Sequence, residues 1–108
     1  MKQNITKQDL LELNDKQIKT LFSYWWETPP VKKNPNTPYA RCEYDTGYLL
    51  DLPLMSIGDM IEYLDNKILD IKNNVDGYYI HTLGGFVIGV DIELCDALWM
   101  AVKEYLNK

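Results

Sequence analysis

Four of the five prolines in this 108-residue chain stand at positions 29, 30, 35 and 38. Proline fixes φ and has no N–H to donate, so the run from Thr28 to Pro38 neither continues a helix nor pairs inside a sheet. It predicts an extended surface connection dividing a helical N-terminal part from a strand-bearing remainder. At this length only one hydrophobic core forms, burying roughly two thirds of the unfolded surface. A hydrophobic fraction of 46% and a charged fraction of 25% suit an ordinary globular domain.

Before the prolines, "ITKQDLLELN" reads as a short helix with Thr6 at its N-cap, Asp9 three residues on, and Ile5 placed to staple onto Leu10. Asn14 and Asp15 end it and cap the next helix. There Ile18, Leu21, Phe22 and Trp25 keep the i, i+3, i+4, i+7 spacing of a buried stripe. A helix turns about 100° per residue, which puts Trp26 on the flank of that stripe. Two placements follow for its indole: beneath the proline-rich loop, or on an exposed contact surface shared with that loop.

After the prolines, "YARCEY" and "YLLDL" around "DTG" predict two short strands and a turn. "MSIGDMIEYLDNKILDI" starts a helix at Ile57, with Ser56 as N-cap, Asp59 three residues on, and Met55 facing Met60. Apolar steps of three and four through Ile71 extend it to about residue 72. "DGYYIHTLGGFVIGVD" predicts a hairpin turning at Gly84 and Gly85, with Gly89 marking a bulge. Asp91 caps a last helix to residue 106 whose wide apolar face includes Cys95, Leu98, Trp99 and Val102. The expected fold class is α+β, a single domain over 1–108. Two N-terminal helices precede an antiparallel sheet of three to five strands from 39–52 and 78–90, and helices 57–72 and 92–106 pack on one face while the other is left open.

Charge is uneven. Residues 1–41 hold seven Lys or Arg against four Asp or Glu, and residues 42–108 hold four against twelve, for a net −5. An acidic body lacks the clustered cations that release counterions from a phosphate backbone, so duplex nucleic acid is not an expected ligand; the loop pair Lys32 and Lys33 is a local exception. No run approaches the roughly 20 apolar residues of a membrane span, and "MKQNITKQDL" lacks a secretory apolar core, which predicts a cytoplasmic protein without membrane contact. Without a secretory signal, Cys42 and Cys95 read as reduced, buried thiols.

Catalytic residues are not indicated. His81 lies mid-strand with no nucleophile pattern beside it, and reads as structural. The glycines of "LGGFVIG" do not open a helix, which removes the phosphate-loop and dinucleotide patterns. The two cysteines and one histidine lack metal-site spacing, so no metal or cofactor is expected. The remaining chemistry is acidic: Asp59, Glu62 and Asp70 fall together if 57–72 is one helix. They form either a solvated face or a surface that docks on a basic groove. Met100, among Glu93, Asp96, Lys103 and Glu104, is either an isolated exposed methionine or an apolar partner anchor.

"LPLMSIGDMIEYL" and "ELCDALWMAVKEYL", preceded by "ITKQDLLELNDKQIKTLFSYWW", resemble a family of small proteins encoded by phages, prophages and related mobile elements of Firmicutes. The resemblance covers about half the chain and leaves out Thr28 to Leu50. The family pattern commonly has an acidic residue where this chain has Met100. By gene-neighbourhood analogy it implies a non-enzymatic protein that binds and blocks or modulates a host protein, such as a CRISPR or other nucleic-acid-binding defence complex. The partner-binding candidates are then Asp59, Glu62, Asp70, Trp26 and Met100. The alternative is a homo-oligomeric structural or accessory phage protein, self-associating through Trp26, Met100 or a sheet edge.

Overall fold

A computed structural model describes residues 1–29 and 33–108. Lys32 lies outside the described residues. The N-terminal helices follow their caps. Thr6 and Asp9 form a capping box at α1 (Lys7–Leu11), and Asn14 and Gln17 form another at α2 (Asp15–Phe22), which runs on into a π-helical turn, Ser23–Glu27. Each box satisfies N–H groups that a helix start leaves without partners. Ile5, Leu10, Ile18, Leu21 and Trp25 all enter the core.

Two antiparallel sheets take the place of the expected single one. The first is the hairpin β1 (Tyr39–Glu43) and β2 (Leu49–Pro53), closed through Tyr44 to Tyr48 with Gly47 at positive φ. The second has the order β3-β4-β5, with β3 Ile68–Asn74, β4 Gly77–Thr82 and β5 Val87–Asp91.

Strand β3 overturns the long helix expected to residue 72. Helix α3 (Ile57–Leu64) starts at its Ser56–Asp59 capping box as expected, with Met55 and Met60 fully buried. It stops at Asp65, whose ψ of 134° is already extended, and Asn66 at φ 71° completes a turn closed by the Lys67 N–H on the Leu64 carbonyl at 2.8 Å. Ile68 and Ile71 also fit a strand: Ile71 pairs with Ile80, and Asn74 pairs with Gly77 across a tight turn at Val75 and Asp76.

Helix α4 (Leu94–Leu106) begins two residues later than expected. Glu93 is its N-cap, while the Asp91 carboxylate accepts the Glu93 N–H at 3.0 Å. It crosses one face of the β3-β4-β5 sheet, packing on β4 and β5, and also touches α2 and α3. Gly89 permits the close approach, because a Cβ there would overlap the Ala97 carbonyl of α4. The bulge expected near Gly89 is present: Ile80 faces Gly89 and His81 faces Val87, which leaves Ile88 as the extra residue. One hydrophobic cluster runs from Ile5 to Leu106 and joins all four helices to both sheets. Among the described residues no helix is long and apolar enough to cross a membrane.

Candidate functional site

The acidic helix face does not assemble. Asp59 is buried at 4% exposure, and its carboxylate is consumed by local structure. Oδ2 accepts the Ser56 N–H at 2.9 Å and the Thr37 hydroxyl at 2.5 Å, and Oδ1 accepts the Asn34 amide at 3.2 Å. Asp59 therefore pins the far end of the proline-rich loop to the start of α3, and a partner has no access to it. Asp70 sits on β3 rather than on the helix, with Oδ1 3.0 Å from His81 Nδ1. That distance is within ion-pair range, yet neither buried atom has a hydrogen-bond partner among the described residues, so the two groups are juxtaposed but misaligned. Of the three carboxylates, Glu62 alone is both on α3 and exposed.

Trp26 is half-buried and falls between its two expected placements. Its Nε1–H donates to the Asp51 carbonyl at 2.9 Å, its ring meets Tyr39 edge-on at 6.0 Å, and it walls a cleft of about 180 Å³ with Pro35 and Thr37 of the loop. The indole is anchored on the β1–β2 hairpin, with the loop forming the other wall of the cleft. Met100 is 39% exposed and lines a shallow groove with Ile88, Gln17 and Glu12.

Both thiols are free and buried, and burial pushes them up, Cys95 to about 11. Desolvation favours the neutral form of an acid, so both stay protonated and poorly nucleophilic at neutral pH.

The feature that sequence reasoning named only as an open face is the outer side of the three-stranded sheet. Register sets Asp70, His81 and Val87 in one row and Lys72, Tyr79 and Val90 in the next; Ile71, Ile80 and Gly89 share the side toward α4. On the outer side Val87 is 50% exposed and Val90 41%, and Phe86 at 74% and Ile92 at 77% are exposed just outside the two ends of β5. The apolar side chains thus gather on β5, the aromatic and imidazole rings on β4, and one charge of each sign on β3. The strand alternation of "FVIGVDI" carries this signal, but the bulge at Ile88 shifts the alternation by one residue and hides it.

No family model, no curated protein and no solved structure matches the chain.

Proposed function

We propose that this chain acts by binding a protein rather than by catalysis, and that it docks through the open face of the β3-β4-β5 sheet. The observation that carries the reading is the pair of exposed valines, Val87 and Val90, beside Tyr79 on the face opposite the one that α4 covers, with Phe86 and Ile92 exposed just beyond the ends of β5. Large exposed apolar patches rimmed by polar groups are where partners bind, and aromatic rings at their centre act as anchors. The protonated thiols and the structural use of Asp59 support a binding role over a chemical one.

Glu43, Asp45, Glu62, Asp65 and Asp76 remain exposed, so the body keeps a negative field that would speed association with a basic partner. Taken with the mobile-element resemblance of the two helical motifs, the most specific form is a stoichiometric inhibitor of a nucleic-acid-binding host defence complex, working in the host cytoplasm. The test is affinity capture from host lysate with wild type and with a Val87→Lys/Val90→Lys variant whose circular dichroism is unchanged. Loss of a stoichiometric partner in the variant supports the reading; equal capture by both proteins removes the face as the docking site.

A second reading, self-association of two copies through the same face, is favoured by one observation. Asp70 and Lys72 leave the two rows charge-balanced, so two copies meet there without net repulsion despite the overall −5. Sedimentation equilibrium over a hundredfold range of concentration separates the two readings, since a strict monomer eliminates the second.

A further inference from the structure

On this acidic chain, one cleft gathers positive charge. It lies between α2, the π-helical turn and the end of α3, has a volume of about 430 Å³, and is lined by Lys19, Ser23, Tyr24, Thr28, Tyr63 and Lys67. The rings of Tyr24 and Tyr63 meet edge to face at 4.7 Å and form its apolar floor. Three ammonium groups stand over tyrosine rings around it: Lys67 Nζ is 4.8 Å from the Tyr63 ring, Lys33 Nζ 4.7 Å from that of Tyr24, and Lys19 Nζ 5.7 Å from that of Tyr48. Among the described residues, none of the three has a carboxylate within ion-pair distance, although the chain holds sixteen Asp and Glu. Their other contacts are to neutral oxygens: Lys67 donates to the Tyr63 carbonyl at 3.1 Å and Lys33 to that of Thr28. Ring faces and carbonyls hold a cation in place without neutralising it, so the charge stays available to a ligand.

We propose that this cleft binds a small phosphate-bearing ligand. The cleft is shallow and open, lysines bind phosphate as point charges, and the paired lysines Lys19 and Lys67 on its rim would attract an anionic ligand. The Ser23 and Thr28 hydroxyls supply additional polar groups on the wall. Three carboxylates stand near enough to oppose the site: Glu62 and Asp59, whose charges act on Tyr24, and Asp15, whose charge acts on Lys19. The assignment stands independently of the sheet-face reading, because it uses other residues and a ligand of another class.

The test is isothermal titration calorimetry of the full chain with pyrophosphate, ADP and adenosine at about 50 mM salt, where charge attraction is weakly screened. Saturable one-to-one binding of pyrophosphate and ADP, with no binding of adenosine, is the expected result. Lys67→Met and Lys19→Met each weaken it about tenfold, the loss of one charge-assisted contact. Lys103→Met, outside the cleft, leaves it unchanged, and Glu62→Gln tightens it. Lys19 is exposed, so its replacement leaves the fold intact even if that of Lys67 disturbs Tyr63. Absence of saturable binding, equal weakening by Lys103→Met, or adenosine binding as tightly as ADP would each overturn the assignment.

Discussion

Replacing Asp59 with alanine tests how the loop and α3 hold together. The change removes the acceptor for three donors: the Ser56 N–H, the Thr37 hydroxyl and the Asn34 amide. Each lost hydrogen bond to a charged acceptor is worth about 1.5 kcal/mol or more, and removal of a desolvated carboxylate returns about 1–2 kcal/mol. The net expectation is a loss of about 3 kcal/mol, a large share of the ~5–15 kcal/mol that a domain of this size has to lose. Thermal unfolding followed by circular dichroism then shifts down by about 10–20 °C. Asp59→Asn keeps one carbonyl for Ser56 and Thr37 but loses the Asn34 contact, because the Asn34 oxygen already accepts the Asn36 N–H and its amide cannot flip without losing that bond, so the loss is about 1.5 kcal/mol. Thr37→Val, which removes one donor of the three, falls near the same value. Two results would refute the reasoning: an Asp59→Ala midpoint within about 2 °C of wild type, or an Asp59→Lys protein that folds normally, as a solvated residue would allow.

Three further predictions follow from other parts of the fold. Burial alone would raise the Asp9 carboxyl, but the Thr6 N–H and the Lys2 ammonium 2.9 Å away outweigh it and hold the group below its usual range. A depressed carboxyl stabilises the fold above its ordinary value near pH 4 and loses that contribution as pH falls below it. Urea midpoints between about pH 2.5 and 7 should therefore drop on the acid side in wild type and drop less in Asp9→Asn. Cys95 has the opposite sign: raised by burial to about 11, it stabilises the fold below the ordinary thiol value of 9.0 and loses that contribution as pH climbs toward 11. Cys95→Ala, although less stable at pH 7, should show a shallower decline in urea midpoint over that alkaline window. Gly89→Ala drives a methyl group into the Ala97 carbonyl and should cost about 2–3 kcal/mol by urea denaturation; a loss below about 0.5 kcal/mol would show that α4 does not lie so close to β5.

Local chemistry made much of the fold legible in the sequence. The Thr6–Asp9 and Ser56–Asp59 boxes, the Asn14 cap and the hairpins at "DTG" and "LGG" each depend on residues within a few positions of one another, and each stands where the pattern put it. Strand β3 was hidden because Ile68 and Ile71 satisfy both a helical step of three and a bulged strand. The signals that decide between them are Asn66, at home in a left-handed turn, and the Asp76–Gly77 pair closing a hairpin. That misreading also misplaced the candidate site: Asp70 reached the same face as Asp59 and Glu62 only through the extra helical turns. The burial of Asp59 depends on Asn34 and Thr37, more than twenty positions away, and no periodicity reports that. Trp26 is the same case, since its partner is a main-chain carbonyl of β2.

The docking face is the central claim, and a photo-crosslinking residue tests it where it matters. Introduced at Val90 on the open face, and separately at Glu43 on the β1–β2 hairpin, it would be activated in host cells producing the full-length chain. The account predicts a discrete adduct from Val90 and none from Glu43, with the adduct mass separating a foreign partner from a second copy. An adduct from Glu43 alone, or none from either position, would contradict it.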